Sequence, residues 1–116
     1  MRGKELKSKS ETINLKGKEY KLALNMNALC ELEEIYGDIQ SAVSLFKEKP
    51  IRTVRNFIYA MLKSEEPKLT ITKAGALIDT TNFNEVVETI SQLINEAFPY
   101  EEGNDELQEQ SKTKNV

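Results

Sequence analysis

Residues 11–38 read ETINLKGKEYKLALNMNALCELEEIYGD, and the apolar period changes in the middle of them. In the first half apolar residues alternate: Ile13 and Leu15, then Lys16–Gly17, then Tyr20, Leu22 and Leu24. Period two on both sides of a glycine-bearing turn predicts a β-hairpin with one apolar face. In the second half Leu29, Leu32, Ile35 and Tyr36 recur at helical spacing, which predicts a helix over Met26–Tyr36. Asn25 or Asn27 caps its start, and Gly37 takes the left-handed conformation that ends it. An isolated hairpin is marginal in water, so its face must lie on helices or on a partner. Whether it closes its own domain or adds to a neighbour's sheet is open at this level.

Working outward, every later segment has the helical period. Asp38 to about Lys47 presents Ile39, Ala42, Val43 and Phe46 at i, i+3, i+4 and i+7. Pro50 separates it from a third helix, Ile51–Lys63, whose stripe is Ile51, Val54, Phe57, Ile58, Met61 and Leu62. SEEPK makes a loop. A shorter fourth helix follows Thr70 with Ile71, Ala74, Leu77 and Ile78 inward, weakened by Gly75 by about 1 kcal/mol relative to Ala. The fifth opens at Asn82, which with Glu85 matches a capping box. It carries Phe83, Val86, Val87, Ile90, Leu93, Ile94 and Ala97 in one stripe before Pro99. The expected fold is mainly α with a small N-terminal β-hairpin (α+β), about five short helices packed as a compact bundle.

A chain of 116 residues suits one domain. The first ten residues hold four Lys/Arg against one acid, and residues 101–116 hold five acids against two lysines. Neither end has apolar residues at a useful period, so the expected division is a disordered basic tail (1–10), one helical domain (11–99) and a disordered acidic tail (100–116). No apolar run approaches the roughly 20 residues of a membrane span. The opening MRGKELKSKSE has no apolar stretch after its basic residues, unlike a secretory signal. A single cysteine, Cys30, cannot form an internal disulfide, which fits a reducing cytoplasm.

Histidine is absent, which removes the commonest general base, the Ser–His and Cys–His pairs and the usual zinc sites. Glu31, Glu33 and Glu34 read as a solvated helix face rather than an acid–base pair. Cys30 has no basic neighbour in sequence and reads as a buried or half-buried small side chain. Gly17, Gly37 and Gly75 match neither GxGxxG nor GxxxxGK[ST]. These residues predict no enzyme, no cofactor and no metal site. On the third helix Arg52, Arg55, Asn56, Tyr59 and Lys63 fall on one face away from the apolar stripe. Such a face could touch a phosphate backbone, but the net charge of −3 favours a protein partner, for which Tyr and Arg are typical anchors. With Tyr36 and Phe46 at its edge, the expected partner surface is Tyr36, Phe46, Arg52, Arg55, Tyr59 and Lys63.

The order of these segments resembles the tail assembly chaperones of long-tailed (siphovirus-type) bacteriophages and prophages. The residues that carry the resemblance are ALCELEEIYG (Ala28–Gly37), matching an L-x-x-LEE-x-x-G-like helix, and LT…AGALID (Leu69–Asp79), within residues 11–98. These motifs are hydrophobic and structural rather than catalytic. The resemblance implies a helical protein of the bacterial host cytoplasm, absent from the mature virion. It also implies a role in holding the tape measure protein soluble and helping bring tail tube subunits to it. In many such phages a ribosomal frameshift near the end of the gene adds a second domain, and TKNV (Thr113–Val116) is compatible with a slippery A AAA AAC heptamer. Self-association into rings or chains fits the same role, with no nucleic acid or membrane as partner. The competing reading is a small DNA-binding regulator of helix-turn-helix type, and an enzyme subunit is the weakest.

Overall fold

The structure, a computed structural model, describes residues 10–98. The charged tails, apart from Ser10, and Thr113–Val116 lie outside the described residues. Strands β1 (Ser10–Leu15) and β2 (Lys18–Ala23) are followed by helices α1 (Met26–Tyr36), α2 (Ile39–Glu48), α3 (Pro50–Leu62), α4 (Ile71–Ala76) and α5 (Phe83–Ala97).

The strands pair antiparallel with Ile13 opposite Tyr20 and Leu15 opposite Lys18, so the loop is Lys16–Gly17. Both loop residues have positive φ, 57° and 84°, as a two-residue hairpin turn with right-twisted strands requires. Asn14 Oδ1 accepts from Gly17 N at 3.0 Å and fixes the turn from below. Ile13, Leu15 and Leu22 are buried, with β1 against α5 and β2 against α3. The hairpin therefore closes its own domain. Gln92 donates to Glu11 across the same seam at 3.2 Å.

Helix α1 has the predicted bounds. Asn25 is its cap, accepting from Ala28 N at 3.0 Å, and Gly37 at φ 92° ends it while donating to Glu33 O. Its burial rests on Ala28 and Leu32; Leu29 and Tyr36 pack at the margin of the core and Ile35 is half-buried. Asp38 caps α2 through Ser41 N at 2.7 Å, which holds its carboxyl below the usual carboxylate range. Only Lys49 separates α2 from α3, and Pro50 fills the first helical position, where its missing N–H costs nothing.

Helix α3 is the axis of the domain. Thr53, Val54, Asn56, Phe57, Ile58, Ala60, Met61 and Leu62 are all buried, roughly two-thirds of the helix circumference. Phe57 meets Phe46 of α2 with ring centroids 5.3 Å apart. One expectation for this helix is corrected. Ile51, assigned to the apolar stripe, is 73% exposed. The first turn of α3 is covered on the side of Thr53, whose hydroxyl donates to Lys49 O and Leu45 O, and Ile51 lies about 200° round from it.

The capping box at α5 is also absent, since no side chain caps that helix. Asn82 turns back instead, accepting from Asp79 N and donating to Leu77 O. Val86, Ile90, Leu93 and Ile94 are buried as the stripe predicts, whereas Ala97 at the helix end is exposed.

Candidate functional site

The helix-three face does not stand free. Asn56 is 5% exposed and donates to Tyr36 Oη at 2.8 Å, while its Oδ1 accepts from Arg55 Nε at 3.3 Å. Arg55 is half-buried, its methylenes lying over Gly75 of α4, where an added Cβ would sit 3.0 Å from Arg55 Cδ. The glycine that weakens α4 thus admits the close approach of α3. Tyr59 is half-buried against the core, with Lys63 Nζ 5.3 Å from its ring centre. The Tyr59 side chain, then the nearby Glu31 carboxylate, raise the Lys63 pKa. Phe46 is not at an edge but in the core, and Tyr36 spends its hydroxyl on Asn56. Of the six expected surface residues, Arg52 alone is exposed.

Cys30 is exposed, contrary to the buried or half-buried reading, and faces Glu31, Glu33, Glu34 and Lys63 across a shallow depression. Of the three glutamates read as a solvated face, Glu33 and Glu34 are exposed and Glu31 is half-buried. Among the described residues no group of three or more His, Cys, Asp or Glu could hold a metal ion, and no helix is long and apolar enough to cross a membrane.

What the structure does assemble is a groove of about 530 Å³ where α3, α4 and the start of α5 meet. Ile51, Ile78 and Phe83 supply its apolar walls, and Arg52, Arg55 and Asp79 its charges. Ile78 and Asp79 stand there because α4 ends at Ala76 and the chain turns through DTTN into α5. That turn is held by Asp79 Oδ1, which accepts from the backbone N–H groups of Thr81 and Asn82 and from the Thr81 hydroxyl. The other carboxylate oxygen receives Lys16 Nζ at 2.6 Å, so the hairpin turn is tied to the groove. Lys16 and then the Thr81 hydroxyl hold the Asp79 carboxyl far below the usual range.

Ile51 was legible in sequence only as a core residue, and nothing in the periodicity joined it to Ile78 and Phe83. The signal available was the motif AGALID, which delivers Gly75, Ile78 and Asp79 to the same wall. Comparison with protein-family models, curated proteins and solved structures finds no match.

Proposed function

We propose that this protein is a non-catalytic tail assembly chaperone of a long-tailed bacteriophage or prophage, binding the tape measure protein and helping recruit tail tube subunits. The observation that carries this reading is the groove at Ile51, Ile78 and Phe83: an open apolar surface on a small helical domain. A long tape measure protein exposes apolar helix before the tube encloses it, and an apolar groove is the surface that covers a helix. The second segment of the resemblance, Leu69–Asp79, supplies part of the groove wall, which gives that motif a use beyond the fold. On this reading the protein acts in the host cytoplasm and is absent from the finished virion. Residues 100–116 then serve as the acidic tether to any frameshifted extension.

The helix-turn-helix reading has less support. It draws on helix–short loop–helix order, and the basic face that could meet a phosphate backbone is not free: Asn56 is buried, and Arg55, Tyr59 and Lys63 lie half-covered.

The test is co-expression with the longest coiled-coil-rich reading frame downstream in the same gene cluster, followed by pulldown and soluble yield. A chaperone brings that protein into the soluble fraction and co-purifies with it. If the protein stays insoluble and unbound with the chain in excess, the assignment is wrong.

A further inference from the structure

Ile51 and Arg52 are shared by two hollows. One is the groove against α4 and α5; the other, about 440 Å³, lies on the α1–α2 side, where Tyr36, Leu45 and Pro50 join them. The exposed pair thus forms a ridge with an apolar hollow on each flank. The charges on the walls are unbalanced. Lys49, Arg52 and Arg55 are cationic; Asp79 is the one carboxylate among the lining residues, and it is already held by Lys16. This face is therefore locally positive on a chain whose net charge is −3.

We propose that the ridge and its two hollows dock an acidic amphipathic helix of a partner protein. The helix lies across Ile51–Arg52, with apolar side chains in the hollows and Asp or Glu facing Lys49, Arg52 and Arg55. The inference rests on the chaperone reading only in taking the partner to be a protein. Charge selects the occupant. A second copy meeting the same face about a twofold axis would set these cations against themselves. Nucleic acid would leave the apolar walls without a partner, whereas a helix with an apolar stripe between carboxylates satisfies both features.

The experiment uses the full chain and two synthetic helical peptides of roughly 20 residues, long enough to hold a helix. They share leucines at i, i+3, i+4 and i+7 and differ in carrying Glu or Lys at the remaining charged positions. Fluorescence anisotropy at low salt is expected to show the Glu peptide binding roughly tenfold tighter than the Lys peptide, the sum of three surface ion pairs. That preference shrinks as salt is added. Ile51→Glu and Arg52→Glu alter exposed side chains, so both variants keep their fold by circular dichroism; each weakens the Glu peptide, and Arg52→Glu also reduces the preference.

The proposal is overturned by any of several results: no binding of the Glu peptide, equal or tighter binding of the Lys peptide, or no effect of either variant. A dimer that Ile51→Glu dissolves, or tighter binding to duplex DNA than to the Glu peptide, overturns it as well. The two ideas fail separately. Peptide binding with failed co-expression removes the chaperone assignment and keeps the docking face; successful co-expression without peptide preference does the reverse.

Discussion

Tyr36→Phe separates the two roles open to Tyr36, partner anchor and internal support. Its hydroxyl accepts from Asn56 Nδ2 at 2.8 Å, and Asn56 is 5% exposed at the centre of α3. Removing the hydroxyl leaves the ring in place and strands a buried amide donor, which costs about 1–2 kcal/mol. For a domain of this size that is a fall of roughly 5–15 °C in the thermal midpoint. With a urea m-value of roughly 1 kcal/mol/M, the urea midpoint drops by about 1–2 M at unchanged slope.

Replacing Asn56 by Leu in the same chain removes the stranded amide. The double variant should therefore recover much of the loss, because exchanging both partners for apolar groups is far cheaper than breaking the pair. Arg55 Nε then loses its acceptor but is only half-buried and can turn to water. A Tyr36→Phe protein within about 0.3 kcal/mol of the parent would refute the reasoning, since Asn56 would have to be satisfied elsewhere. So would loss of partner binding at unchanged stability, which would make the hydroxyl an interface group.

Two further outcomes follow from the local chemistry. The Asp79 and Asp38 carboxyls are held below their ordinary values, Asp79 by Lys16 and Thr81 and Asp38 by Ser41 N–H. The stability they contribute is present at neutral pH and is lost as pH falls from about 4 through their folded-state values. Thermal midpoints should thus hold steady above about pH 5 and decline below pH 4, less steeply in Asp79→Asn; identical profiles would show that Asp79 does not contribute. At α5, Glu85→Ala should stay within about 0.5 kcal/mol of the parent, as for an exposed residue outside any cap, whereas Asn82→Ala should cost about 1–2 kcal/mol by leaving Asp79 N and Leu77 O unpaired. A reversed order of these two in urea denaturation would restore the capping box.

Much of the fold was legible because local preference and tertiary packing agree there. The alternation around Lys16–Gly17 gave the hairpin, and Asn25 and Gly37 bracketed α1 at both ends. Thr70 opened α4 as read, accepting from Lys73 N. The reading failed where side chains had a second use. Asn82 sits in a cap position, but Asp79 three residues earlier offers it a turn, and short polar side chains choose such local bonds over helix ends. Phe46 could have been placed from its own stripe, since it stands at i+7 from Ile39 and i+4 from Ala42. Cys30 could have been placed from the same period, since it lies about 200° round α1 from Ala28 and Leu32 and between Glu33 and Glu34. The groove joins residues 51, 78 and 83 through the packing of three helices, which no single-helix pattern contains.

Among the described residues two large apolar side chains are more than two-thirds exposed, Met26 at 70% and Ile51 at 73%, and only one of them supports a functional argument. Single exposed apolar side chains are common on protein surfaces and signify little alone. Met26 opens α1 and lines none of the hollows described above. Ile51 falls within the apolar stripe of α3 by period, yet it stands out of the core between two hollows walled by Ile78, Phe83, Leu45 and Tyr36. Burying it would require another element over the first turn of α3, and the chain supplies Thr53 contacts on one side and open walls on the other. Gly75 adds to the asymmetry, because it lets α4 lie close on the methylenes of Arg55, which lines the groove. The disagreement between pattern and packing at Ile51 is therefore local, flanked by apolar walls and edged with cations, which is the arrangement a partner's helix would complete.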